Sequence, residues 1–196
     1  MDEILKKYSL FDQSYVSRET CLDFEEFISI MIERNKEINI ISRDNAKNEI
    51  IRDRHILDSA QSIDFIDLNT NTTTDLGSGG GFPGIVIAII LKNLKKKIKI
   101  NLYEKSHHKS SFLREVSRKL NLDTDIKQKD VFKTTKLRSG TIIARAFKPL
   151  PVILELVNKN FSNYKNLVLF MGKSGKKILN ETLENREFEY EKKKRI

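Results

Sequence analysis

The apolar positions of this chain keep two rhythms. From residue 69 onward, short apolar or alternating stretches near 72–76, 98–103, 124–128, 139–144 and 166–171 read as strands. Between them, 83–94, 107–120 and 148–160 read as helices. The clearest strand is Ile98-Lys99-Ile100-Asn101-Leu102-Tyr103, which alternates apolar and polar as a half-buried strand must. Upstream the rhythm is helical only. Phe24, Phe27, Ile28, Met31 and Ile38 mark an amphipathic helix over 23–38 with Asp23 as N-cap. Ile50, Ile51, Ile56, Leu57 and Ala60 mark a second over 45–64, capped near Asp44. Strand–helix alternation at this spacing predicts an α/β fold, a parallel sheet with helices on both faces. Residues 1–68 are expected to form a helical extension packed on a core of residues 69–196, one structural unit in all. No internal repeat or low-complexity linker divides the chain.

Ligands of such sheets sit outside the carboxyl ends of the strands. Asp75, Glu104, Asp130 and Arg145 each fall at or just after the end of a predicted strand, so four separate segments converge on one crevice. The first segment, Asp75-Leu76-Gly77-Ser78-Gly79-Gly80-Gly81-Phe82-Pro83-Gly84, holds five of the eight glycines and leads into the apolar run Ile85 to Leu91. Glycine lets backbone turn with positive φ and approach a ligand closely. Pro83 suits the first position of the helix that follows. Two templates fit this loop. Gly79 to Gly84 reads as G-x-G-x-x-G, the dinucleotide fingerprint. Asp75 to Gly81 reads as D-x-G-x-G-x-G, which resembles motif I of the S-adenosylmethionine (SAM) methyltransferases. The second is preferred, because a dinucleotide loop cradles an anionic pyrophosphate and a carboxylate at Asp75 opposes it. SAM carries no phosphate, and its ammonium and sulfonium suit an acidic residue there. Glu104 stands twenty residues past Gly84, where both templates place an acid that accepts hydrogen bonds from a ribose diol.

Charge adds a partner to this picture. The formal net charge is +9, with basic runs at Lys92 to Lys99, at Lys105 to Lys109 around His107 and His108, and at Lys192 to Arg195. An excess of this size draws polyanions, RNA first among them. The single cysteine, Cys21, excludes an internal disulfide and a cysteine-built metal centre. The adjacent His107 and His108 cannot share a helix face and read as the start of a helix, so no metal is expected. The start of the chain has no signal-peptide pattern, and the longest apolar run is too short to span a bilayer. The expected setting is the cytoplasm, with no membrane partner.

Four motifs in combination carry a family resemblance. They are Arg54-His55-Ile56-Leu57-Asp58-Ser59, the loop Asp75 to Gly84 with its Phe-Pro-Gly ending, Lys109-Ser110-Ser111-Phe112-Leu113, and Ala144-Arg145-Ala146-Phe147. Together, over about residues 24–175, they resemble the bacterial RsmG (GidB) family, which methylates N7 of a guanosine in 16S rRNA. The resemblance implies a Rossmann-like SAM-dependent methyltransferase core, SAM as cofactor, and 16S rRNA or the small ribosomal subunit as partner of a monomer. It implies cofactor contacts at Asp75, Gly77, Gly79, Gly81, Phe82, Glu104, Lys129, Asp130 and Arg145. Lys129 and Asp130 would lie at the adenine. Arg145 would act catalytically near the methionine end of SAM and the target base. Lys36 and Asn39, in an Asn-Lys-x-x-Asn helix end begun by Asn35, join Arg54, His55 and Lys173 as RNA contacts. The chain departs from the family at Arg34 (usually Trp), Ile41 (usually Thr) and Met171 (usually Lys), where Lys173 stands as substitute. It also ends without a clear final hairpin, so a shortened sheet end is expected.

The chemistry fits what is absent. Guanine N7 has an in-plane lone pair and no proton to lose, so alignment suffices and no general base is required. Prolines occur only at 83, 149 and 151, which leaves no Asn/Asp-Pro-Pro-Tyr segment of the amino-group methyltransferases. No second cysteine serves carbon-5 methylation. His55, Arg54 and Asp58 lie at i, i+3 and i, i+4 spacings and can interlock on one helix face. That cluster is read equally as a clamp on the sheet and as an RNA contact. The competing functions are an NAD-type oxidoreductase and a non-enzymatic basic RNA-binding module on a relic fold.

Overall fold

A computed structural model describes residues 3–10, 16–183 and 191. Helices α1 (Glu3–Lys7) and α2 (Arg18–Asn35) come first. A 3-10 turn at Arg43–Asn45 leads into one winding helical stretch. It runs through α3 (Asn48–Ile50), a π-helix (Ile51–Ile56), α4 (Leu57–Ala60) and a 3-10 turn (Gln61–Phe65). Then follow β1 (Thr72–Leu76), α5 (Gly84–Asn93), β2 (Lys99–Tyr103), α6 (His107–Lys119), β3 (Thr124–Lys127), β4 (Leu137–Arg138), β5 (Thr141–Arg145), α7 (Leu150–Asn160), β6 (Phe161–Ser162), β7 (Asn166–Phe170) and α8 (Gly175–Leu183). Five strands pair in parallel in the order β3-β2-β1-β5-β7, and β4 and β6 form a short separate ribbon. This is the α/β sheet that the alternation predicts.

Two apolar clusters cover the two faces of the sheet. One joins α2, the π-helix, α5 and α6 to Ile100, Leu102 and Ile143. The other joins Leu76, Tyr103, Ile142 and Ala144 to Ile153, Leu156 and Val157 of α7. Alternate residues of neighbouring strands thus serve opposite faces, as the period of two requires. Helix α5 is apolar all round. Every residue from Gly84 to Leu91 is buried, between β2 on one side and α2 and α4 on the other.

Several boundaries differ from expectation, each for a visible reason. The N-cap of α2 is Ser17, not Asp23. Its hydroxyl accepts from Thr20 N–H while the Thr20 side chain accepts from Ser17 N–H, a reciprocal capping box. Asp23 instead joins α2 to the end of α5, by an ion pair with Lys92 (2.8 Å) and a hydrogen bond from Asn93 (2.8 Å). The helix ends at Asn35 because that side chain accepts from both Ile40 N–H (2.9 Å) and Ile41 N–H (3.0 Å), wrapping the turn. Over 45–64 the expected single α-helix is broken by six residues of π-helix. Ile51 and Ile56, five apart, are both fully buried, and an i→i+5 turn brings such a pair onto one face. Asp44 caps no helix; Lys47 holds the N-cap position of α3. The expected shortening of the sheet end rests on 184–190 and 192–196, which lie outside the described residues. Among the described residues no helix is long and apolar enough to cross a membrane.

Candidate active site

The site lies at the carboxyl edge of the sheet, as a cavity of about 610 Å³. Its floor is the loop between β1 and α5. Gly77, Gly79 and Gly81 all have positive φ. At Gly77 the need is also steric, since an added Cβ would lie 2.3 Å from Cδ2 of Phe147. Gly77, Ser78, Gly79, Gly80 and Phe82 face the cavity. Ile40 and Ile41 pack on the other side of the loop at Gly80, which brings the turn after α2 beside it.

Glu104, at the end of β2, holds this loop to α6. Its Oε2 accepts from Gly79 N–H (3.0 Å) and its Oε1 from Ser106 N–H (2.7 Å). Ser106 in turn caps α6 through Lys109 N–H. Each carboxylate oxygen has two lone-pair directions, so each keeps one for a ligand. Lys129 and Asp130 line the same cavity after β3. Asp130 caps the 3-10 turn Val131–Lys133 by accepting from Phe132 N–H (3.1 Å).

Asp75 is placed differently from the other loop residues. It is 1% exposed and turns behind the loop, where Oδ2 accepts from Gly84 N–H (3.0 Å). Burial pushes its carboxyl up to about 7, opposed by the Gly84 N–H and the Arg145 charge. Gly84 is the residue that allows this packing, because a Cβ there would lie 2.5 Å from Oδ2 of Asp75 and 2.3 Å from Leu102. Neither Asp75 nor Gly81 lines the cavity.

Arg145, the last residue of β5, closes the side toward the N-terminal helices. Its Nη1 donates to Ser59 Oγ (3.2 Å), and Nη2 faces Arg54 O (3.2 Å), His55 Nδ1 (3.1 Å) and Asp58 Oδ2 (3.1 Å). The guanidinium lies over the rings of Phe82 (5.9 Å) and Phe170 (5.7 Å), and the His55 ring stacks on Phe82 at 4.9 Å. Arginine can only donate, so His55 Nδ1 accepts and the ring proton sits on Nε2. The Arg54–His55–Asp58 cluster thus turns toward Arg145, as a clamp between the π-helix and the sheet. Ala146, next in the chain, has φ 48° without being glycine, a left-handed conformation that costs about 1 kcal/mol.

Arg145 and Ala146 also border a second cavity of about 910 Å³, lined by Phe65, Asn166, Phe170 and Met171 among others. The RNA residues expected elsewhere stand apart from both cavities. Lys36 is exposed and paired with Glu33 (2.5 Å), Asn39 is exposed in the turn after α2, and Lys173 is exposed before α8. Sequence reasoning missed Phe132, Phe147 and Lys148, which line the first cavity with Lys105 and Lys109. Among the described residues no group of three or more His, Cys, Asp or Glu is placed to hold a metal.

The fold and this edge-of-sheet site define a Rossmann-like SAM-dependent methyltransferase. Among solved structures the chain is similar to coclaurine N-methyltransferase bound to N-methylheliamine and SAH. The TM-score is 0.51 at 15% identity, covering 85% of this chain and 57% of that one. It is equally similar to a SAM-dependent O-methyltransferase from Thermotoga maritima, with TM-score 0.51, 16% identity, and coverage of 81% and 54%. Such likenesses speak to the fold alone. Sequence is more specific. Residues 20–196 match the family GidB, rRNA small subunit methyltransferase G. Over all 196 residues the chain is 61% identical to the ribosomal RNA small subunit methyltransferase G of Pelagibacter ubique (strain HTCC1062), covering 100% of this chain and 92% of that relative. The chain belongs to the GidB family of rRNA small subunit methyltransferases.

Proposed function

We propose that this protein transfers a methyl group from SAM to N7 of a guanosine in 16S rRNA, acting as a cytoplasmic monomer whose N-terminal helices and sheet form one unit. The observation that carries the reading is Glu104, fixed between Gly79 N–H and Ser106 N–H at the mouth of a glycine loop, with an acceptor direction left on each oxygen. Those directions suit the two hydroxyls of a ribose. Lys129 and Asp130 border the adenine end, and the Gly77–Phe82 loop the methionine end. The residues present suit a cation as well. Asp75 is buried behind the loop, and the nearby Arg145 charge favours its ionised form, as a ligand cation at the loop would.

When bound, SAM supplies an electrophilic methyl on a sulfonium. Guanine N7 brings its own lone pair and releases no proton, so the side chains have only to align and to balance charge. Arg145 serves that alignment. With Asp58, Ser59, His55 and Arg54 O as partners it reaches a base only by giving one up, so we assign it to positioning in place of the expected catalytic role beside the target base. It holds the π-helix against the loop through Phe82. The test is methylation of 16S rRNA and of small subunits with labelled SAM, followed by nucleoside analysis. Label in 7-methylguanosine is the expected result. Label on an exocyclic amine or a ring carbon, or heat of binding from NAD and none from SAM, refutes the reading.

A further inference from the structure

We propose that the rim of the cofactor cavity is the seat of the RNA strand, with the exposed ring of Phe132 as a stacking platform for a base and Lys105, Lys109, Lys129 and Lys148 as phosphate contacts. This rests on the methyltransferase reading above. Phe132 is 42% exposed although it is a large apolar side chain. Its ring is held, not loose. It stacks on Phe147 at 5.9 Å and 23°, and Phe147 in turn lies against Gly77 of the glycine loop. Asp130 fixes the 3-10 turn that carries it. A partly exposed ring steadied by a second ring is the kind of surface on which a splayed base stacks.

The lysines give the platform its ligand. All four line the cavity, and among the described residues none is paired with a carboxylate. Other lysines of this chain do find such partners, as Lys92 does with Asp23 and Lys127 with Asp125. The cofactor does not account for this collar of charge. SAM carries two positive groups and one negative, so four unpaired ammonium groups around its entrance oppose it. A polyanion at the rim removes that repulsion, and a strand with one base on Phe132 brings its phosphates among the lysines. The RNA is thereby placed along the rim beside Phe132, whereas Lys36 and Lys173 do not line this cavity.

The experiment uses the full chain and reads two affinities. SAM binding is titrated calorimetrically. Binding of transcribed 16S rRNA and of a short unstructured oligoribonucleotide is followed by fluorescence anisotropy across a salt series. Phe132→Ala is expected to weaken oligoribonucleotide binding about tenfold or more, well beyond any change in SAM affinity, while Phe132→Trp keeps the parent RNA affinity. The double substitution Lys105→Gln with Lys148→Gln is expected to reduce the slope of log K against log salt by more than about one unit, at roughly 0.7 per phosphate contact on a single strand. Parent-like RNA affinity in both variants, with the parent protein still methylating rRNA, overturns the rim and leaves the methyltransferase reading standing. A loss that appears in SAM affinity instead makes Phe132 a cofactor wall and also overturns it. A parent protein that methylates no rRNA overturns both.

Discussion

Replacing Glu104 separates its two tasks. Its carboxylate accepts from Gly79 N–H at 3.0 Å and from Ser106 N–H at 2.7 Å, and the proposed function adds the ribose hydroxyls to these. Hydrogen bonds to a charged group are worth about 1.5–3 kcal/mol each, less where solvent reaches them. Glu104→Ala leaves both loop N–H groups to water, which at this half-buried position costs about 1–2 kcal/mol of stability. For a chain of this size each kcal/mol shifts the melting temperature by about 2–4 °C, so a fall of roughly 2–8 °C is expected with the fold retained. The ribose contacts add a further loss of about 2–3 kcal/mol in SAM affinity, roughly 30- to 150-fold. Glu104→Gln is the sharper probe. It keeps the shape, but its amide must point one N–H group at a backbone N–H, so it is expected to bind SAM more weakly than the parent too. Calorimetric titration with SAM and a melting curve on the same samples read both quantities. A lowered melting temperature with an unchanged dissociation constant would show that Glu104 only latches the loop, and the ribose assignment would fall.

Three further outcomes follow from the same geometry. Asp75 has a folded-state value of about 7 against about 3.9 for an unfolded carboxyl, so its neutral form favours folding and the stability it contributes is lost as pH rises from about 4 through 7. Asp75→Asn, uncharged throughout, should flatten that loss in urea melts taken across this range; a variant that declines as steeply as the parent contradicts the buried-acid account. Gly84→Ala forces a Cβ to within 2.5 Å of Asp75 and 2.3 Å of Leu102, and should destabilise the chain by about 2 kcal/mol or more, with an unaltered denaturation midpoint counting against it. Arg145→Ala removes the ion pair to the 16%-exposed Asp58 and loosens the π-helix from the sheet, so it should lower rRNA methylation at least tenfold, together with faster hydrogen exchange over residues 51–60. Arg145→Lys should fail to rescue it, because one ammonium cannot span Ser59, Arg54 O, His55 and Asp58. Lost activity with unchanged exchange would mean that Arg145 acts on the substrate directly.

The sequence made the sheet legible because each strand is short, most are apolar or alternate, helices separate them at regular spacing, and the period of two fixes which residues share a face. The glycine loop and Glu104 were legible by spacing. Three features were hidden for physical reasons. The π-helix differs from an α-helix by less than one residue per turn, so over six residues the apolar spacing of Ile51 and Ile56 suits either until the tertiary partners are known. Asp75 lies on a central strand buried on both faces, where alternation no longer says which side chain opens on a ligand. Phe132 and Phe147 belong to loops from different strands, and only the pairing of β1 with β2 and β5 brings them together. Besides these three, Ser17 is hard to read as the N-cap because Asp23 stands immediately before the aromatic stripe, although Thr20 and Cys21 extend the buried face a turn earlier.

The all-round burial of α5 has a consequence for synthesis. Helix α2 emerges from the ribosome well before α5, and although Tyr8 and the π-helix cover part of the apolar stripe of Phe24, Phe27, Ile28 and Met31, the rest waits until α5 is complete at Asn93. At about 5–20 residues per second, the residues between Asn35 and Asn93 take roughly 3–12 s to add. Throughout that interval a nascent amphipathic helix waits with part of its greasy side uncovered, and then α5 arrives with no polar side at all. The two must meet promptly or be shielded, so early chain termination between residues 36 and 93 yields fragments that chaperones and proteases should recognise at once.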